Sequence, residues 1–71
     1  MSAAVLDVAM TMARKHALRG YDAVQLAAAL RANFELLASG LPPVIIVSAD
    51  DELNTAAIAE GLSVENPNDY P

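Results

Sequence analysis

The chain has 71 residues, a formal net charge of -5, no cysteine and a single histidine. A chain this short gains roughly 3–5 kcal/mol at most from one hydrophobic core, and here it has no disulfide, no thiolate metal site and too few histidines for a His-rich zinc centre. The acidic balance opposes nonspecific binding to nucleic acid, which rests on Lys and Arg displacing counterions, although a cation held by carboxylates would invert the field that a phosphate meets.

Apolar residues make up 55% of the sequence, but much of that is alanine, which adds little buried area and lets helices approach closely. No apolar run reaches the roughly 18 to 20 residues needed to span a bilayer, and the N-terminus lacks the charged start and apolar core of a signal peptide. The expected setting is therefore soluble and cytoplasmic, with no membrane association.

The first predicted element is an amphipathic helix. Ser2 is a plausible N-cap, Leu6, Met10, Ala13 and Ala17 recur at helical spacing, and Asp7, Thr11, Arg14 and Lys15 fall opposite. It should end near Leu18 to Gly20, where glycine permits the left-handed conformation that closes many helices. A second helix is expected from Tyr21 or Asp22, with Ala23, Leu26, Ala27, Leu30, Phe34 and Leu37 on one broad apolar face. Gly40 and the Pro42-Pro43 pair stop it, because proline lacks the N–H that a continuing helix requires.

The run from Val44 to Val47 reads as a buried strand, followed by a third helix from about Asp51 to Glu60 that Gly61 closes. A short last strand is expected over Leu62 to Glu65, and residues 66–71 read as a frayed tail. The order is α-α-β-α-β, an α/β fold in which the strand-helix-strand portion is most simply a right-handed parallel crossover. A parallel pair is a poor stand-alone sheet, since parallel sheets normally have both faces covered and several strands. Cover is therefore expected from earlier sequence, a second copy or a partner.

Two segments place a carboxylate where a helix begins: Leu18-Arg19-Gly20-Tyr21-Asp22-Ala23-Val24-Gln25-Leu26-Ala27, and Val44-Ile45-Ile46-Val47-Ser48-Ala49-Asp50-Asp51-Glu52-Leu53. The second set lies at the carboxyl edge of a strand, where open α/β sheets usually bind ligands. With Ala56-Ala57 and Glu60-Gly61-Leu62 following, the pattern resembles the C-terminal half of a PIN domain, and more narrowly the VapC-type toxins of toxin-antitoxin pairs. The resemblance covers about residues 5–67 of a single truncated domain spanning 1–71, leaving 68–71 as a tail.

That resemblance implies a Mg²⁺- or Mn²⁺-dependent endoribonuclease, a hydrolase of RNA phosphodiesters that gathers carboxylates around its metal. Asp22 matches the family's helix-start aspartate. Asp50 matches the aspartate after the later strand, with Ser48-Ala49-Asp50 standing where the family often has Thr-x-Asp. Both are the expected catalytic and metal-holding residues, and Glu52 falls at a further acidic position. The family's opening strand, which ends in an aspartate, and its glutamate-bearing early helix have no counterpart in these residues. Asp7 is not promoted to replace them, so weak metal binding and negligible activity are expected of the chain alone. The resemblance also implies an RNA substrate and a cognate antitoxin, while the broad apolar face of the second helix and the uncovered strands point to a homo-oligomer or a complementing N-terminal half.

The bland readings of the same residues stand beside these. Aspartate at a helix start is an ordinary cap that complements the helix dipole; Asp51 and Glu52 suit a first turn, and Ser48 could cap through a Ser-x-x-Asp box. Arg14, Lys15, His16 and Arg19 form a basic cluster near Asp22 that could meet RNA phosphate, but cations in a last helical turn more simply complement its dipole. Tyr21 reads as a packing anchor, Gln25 as a solvated position, and Met10 and Met12 as core or interface fillers. The alternative function is a noncatalytic acidic interaction module that forms a homodimer or docks on a partner.

Overall fold

A computed structural model describes residues 3–69. Its elements are α1 (Ala3–His16), α2 (Gly20–Ala38), β1 (Ile45–Val47), α3 (Asp51–Ala59), β2 (Ser63–Glu65) and a single 3₁₀ turn at Pro67–Asp69. The expected order therefore stands, with three helices and a short two-stranded sheet. The strands pair in parallel, Ile45 opposite Ser63, Ile46 opposite Val64 and Val47 opposite Glu65. Ser48 extends the pairing by donating its N–H to the Glu65 carbonyl at 3.0 Å. The expected cap Ser2, and Tyr70 and Pro71 of the tail, lie outside the described residues.

The core sits between α1, α2 and α3. Ala9 and Met12 meet Ala23, Leu26 and Ala27 of α2, while Leu53, Ala56 and Ala57 come from α3 and Leu18 and Leu62 from the connections. Leu26, at 0% exposure, is the one large side chain fully enclosed among the described residues. Five of these ten positions are alanine, so the helices gain cohesion by approaching closely rather than by burying bulk.

This close approach corrects the expected face of α1. Leu6 and Met10 are exposed, and the buried positions are Ala9 and Met12. The helix carries apolar residues on more than one side, and the side with alanine is the one that can seat against the alanine stripe of α2. The broad face of α2 is likewise only half used: Ala23, Leu26 and Ala27 are buried, Leu30 is half-buried, and Phe34 (72% exposed) and Leu37 lie in the open. The Val44 to Val47 strand is not buried either, since Ile45 is exposed and Val47 is 73% exposed while Ile46 alone turns toward the core.

All three helices close alike. After α2, Gly40 adopts φ 75° and Leu41 donates its N–H back to the Leu36 carbonyl; after α3, Gly61 adopts φ 87° and Leu62 donates to Ala57. These are six-to-one closures around a left-handed residue. After α1 the left-handed residue is Ala17, with φ 53°, and Leu18 donates to the Ala13 carbonyl. Gly20, expected to provide that turn, instead opens α2, one or two residues earlier than anticipated. The loop before β1 is tied down where Val44 donates its N–H to Asn33 Oδ1 at 2.9 Å.

Candidate functional site

The start of α2 and the turn from β1 into α3 lie side by side. Between them is an open cleft of about 290 Å³ lined by Arg19, Asp22, Asp50, Asp51 and Glu52. Asp22 lies in the first turn of α2, and Asp51 and Glu52 in the first turn of α3. Each helix N-terminus directs unpaired N–H groups and a partial positive charge toward this end of the molecule, which is a favourable field for carboxylates. The structure thus brings Asp22, Asp50 and Glu52 to one cleft and adds Asp51 to them.

Asp50 is the N-cap of α3: with φ -80° and ψ 115° it is extended, and its Oδ1 accepts the Leu53 N–H at 2.9 Å. That corrects the expected Ser48 cap. Ser48 stays with the sheet, and its Oγ accepts the Asp50 N–H at 3.1 Å. Capping commits one Asp50 oxygen, and the other is not engaged by that bond. Asp22 caps nothing, because the N-cap position of α2 is Arg19, which makes no side-chain cap bond.

The donor set is of the chemistry that Mg²⁺ and Mn²⁺ prefer, carboxylate oxygens that leave room for water. Among the described residues, however, no three His, Asp or Glu side chains group closely enough to hold a metal ion. The residues fit such a cation in kind, but among the described residues they are not gathered closely enough to hold one.

The basic cluster is divided by the fold. Lys15 Nζ and His16 Nε2 both donate to Glu60 Oε2 at 2.7 Å, joining the end of α1 to the end of α3. Lys15 first, and His16 after it, hold the Glu60 carboxyl below the usual glutamate range. Arg14 donates from Nε toward the Met10 carbonyl of its own helix at 3.4 Å, and Arg19 alone of the four lines the acidic cleft. His16 is half-buried and borders a neighbouring 270 Å³ recess with Asp51, Glu52, Thr55 and Ala56. The sequence held little sign that Glu60 would gather two of the four cations. Its place one turn beyond the apolar face of α3 was the only cue.

A larger hollow of about 520 Å³ lies between α2 and β1, lined by Gln25, Ala28, Ala29, Ile46, Val47, Ser48 and Leu53. Gln25 belongs to this hollow and is exposed, in keeping with a solvated position. Tyr21 is also exposed, which corrects its reading as a packing anchor. Met12 is core, whereas Met10 lies at the surface. No helix of the described residues is long and apolar enough to cross a membrane. Comparison of the chain with protein-family models, curated proteins and solved structures finds no match.

Proposed function

We propose that this chain is the C-terminal half of a PIN-like, VapC-type endoribonuclease that hydrolyses RNA phosphodiesters with Mg²⁺ or Mn²⁺. The observation that carries the reading is the shared cleft, which Asp22 from one helix start lines together with Asp50 and Glu52 from another. Asp22 and Asp50 would hold the cation, with Glu52 beside them; when bound, it supplies an activated water and stabilises charge on the phosphate. Two such positions are too few alone, so the chain is expected to bind the cation weakly and to cut RNA negligibly until an N-terminal half adds its own carboxylates. The hollow between α2 and β1 and the exposed Val47 offer that half a place to lie.

The test is complementation. A peptide comprising the N-terminal half of a related PIN domain, mixed with this chain, should restore metal-dependent cleavage of RNA. Asp50→Asn can still cap a helix but loses its charge, so it should assemble and fail to cleave. Val47→Asp, on an exposed position, should leave the chain folded and prevent assembly. Cleavage unchanged by Asp50→Asn would remove the site assignment.

A second reading is favoured by a different observation. Phe34, Leu37, Leu41, Ile45 and Val47 are all exposed, which suits a noncatalytic acidic module that forms a homodimer or docks on a partner. In that case Asp22→Ala and Asp50→Asn would leave binding of the partner unaltered.

A further inference from the structure

Asn54 is the one buried polar residue of the described chain, 8% exposed, and it lies in α3 one turn past the cap. Its Nδ2 donates to the Ser48 carbonyl at 2.8 Å, reaching back over the helix start to the end of the sheet. Its Oδ1 is buried with no hydrogen-bond partner among the described residues. An apolar side chain of similar size would avoid that unpaired acceptor, so stability alone is a poor reason for an amide here.

The segment has two ways to begin its helix. With Ser48 as N-cap, α3 would start at Ala49, the Ser48 carbonyl would accept the Glu52 N–H, and its Oγ and N–H would pair with Asp51 in a capping box. With Asp50 as N-cap, the helix starts at Asp51, as observed. In the structure all three Ser48 groups are already engaged. Its N–H donates to Glu65, its Oγ accepts from Asp50, and its carbonyl accepts from Asn54. The Glu65 bond belongs to the sheet, and the Asp50 bond, from an N–H two residues on to Ser48 Oγ, is one that either helix start allows. The Asn54 bond occupies the very carbonyl that the longer helix would need.

We infer that Asn54 is a positioning residue: by holding the Ser48 carbonyl it selects the Asp50-capped start of α3 over the Ser48-capped one, and so sets Asp50, Asp51 and Glu52 at the cleft. The helix-start part stands on the hydrogen bonds alone, and the part concerning the cleft rests on the reading of it as a metal site.

The experiment is NMR of the full chain, with Mn²⁺ alone as the probe of the cleft. In Asn54→Leu, the Cα and Cβ shifts of Asp50 should move from extended to helical values while the rest of the spectrum keeps its dispersion. Broadening of the Asp22, Asp51 and Glu52 amides by Mn²⁺ should then require a roughly tenfold higher concentration, the scale on which supporting residues act. Ser48→Ala combined with Asn54→Leu removes the competing cap and should return Asp50 to extended shifts, a rescue that a merely structural role would not give. In the unmodified chain, a through-hydrogen-bond correlation from the Asn54 side-chain amide to the Ser48 carbonyl carbon is expected, and its absence overturns the proposal even where a variant does not fold. A folded Asn54→Leu in which Asp50 remains extended also overturns it. Mn²⁺ that broadens no cleft amide in the unmodified chain overturns the metal reading, while the selection of the helix start is still decided by the shifts.

Discussion

Replacing Ala17 by glycine should make the protein more stable, although glycine ordinarily weakens a chain. Ala17 holds φ 53° at the close of α1, the position that Gly40 and Gly61 occupy after the other two helices. An L-residue in that region costs about 1–2 kcal/mol relative to right-handed backbone. Glycine escapes this cost but gains freedom in the unfolded chain, which takes back about 0.4–1 kcal/mol. Ala17 is exposed, so its methyl contributes no burial to the balance. The net is a gain of about 0.5–1 kcal/mol, or roughly 2–8 °C in midpoint for a domain of this size. Urea and thermal unfolding followed by far-UV circular dichroism measure it, with an unchanged urea slope showing that the compactness of the end states is the same. Ala17→Val should move the midpoint the other way, because a β-branched side chain is worse in this conformation. Equal or lower stability of Ala17→Gly would show that α1 does not close through a left-handed residue in solution.

Glu60 should give stability an acid limb. Its folded carboxyl titrates below its unfolded value, about 4.3, because Lys15 and then His16 donate to it; the stabilisation is present above that value and is lost as pH falls through the folded one. Glu60→Gln should flatten this limb in urea midpoints taken across the acid range, and an unchanged limb would place its origin at another carboxylate. The exposed Leu6, Met10, Phe34, Leu37, Ile45 and Val47 should make the chain associate as its concentration rises. Sedimentation velocity should show this and show it reduced in Phe34→Glu, whereas a monomer at every concentration would mean that these residues lie too scattered to form a sticky patch.

Element order and type were legible because the strongest signals were local. The Pro42-Pro43 break, the glycines after α2 and α3, and the β-branched run of β1 each act within a few residues of themselves. What failed depended on contacts between distant segments. The periodicity of α1 is satisfied by Leu6 and Met10 as well as by Ala9 and Met12, and only the alanine face of α2 decides between them. Burial of Ile45 and Val47 was inferred from residue type, but the burial of a strand face depends on what covers it, and the described residues cover only the side of Ile46. The carboxylates Asp22, Asp50 and Glu52 were named through the family resemblance, and they line one cleft. The choice of Asp50 over Ser48 as cap was not legible, since it turns on Asn54 and Glu65. The division of Lys15, His16 and Arg19 between Glu60 and the cleft was hidden for the same reason.

Ala9, Ala23, Ala27, Ala56 and Ala57 at the centre of the fold give the molecule an unusual pattern of tolerance. Alanine surrenders no rotamer freedom when buried, so these positions are ordered without the side-chain entropy that a leucine core would lose. The same closeness leaves little space for growth. Trimming such a core has little left to remove, whereas adding one or two methylenes at Ala23 or Ala57 would drive the helices apart, at a cost of about 1–3 kcal/mol. Selection on this chain should therefore act against enlargement at its centre more strongly than at the exposed positions of α1 and α2.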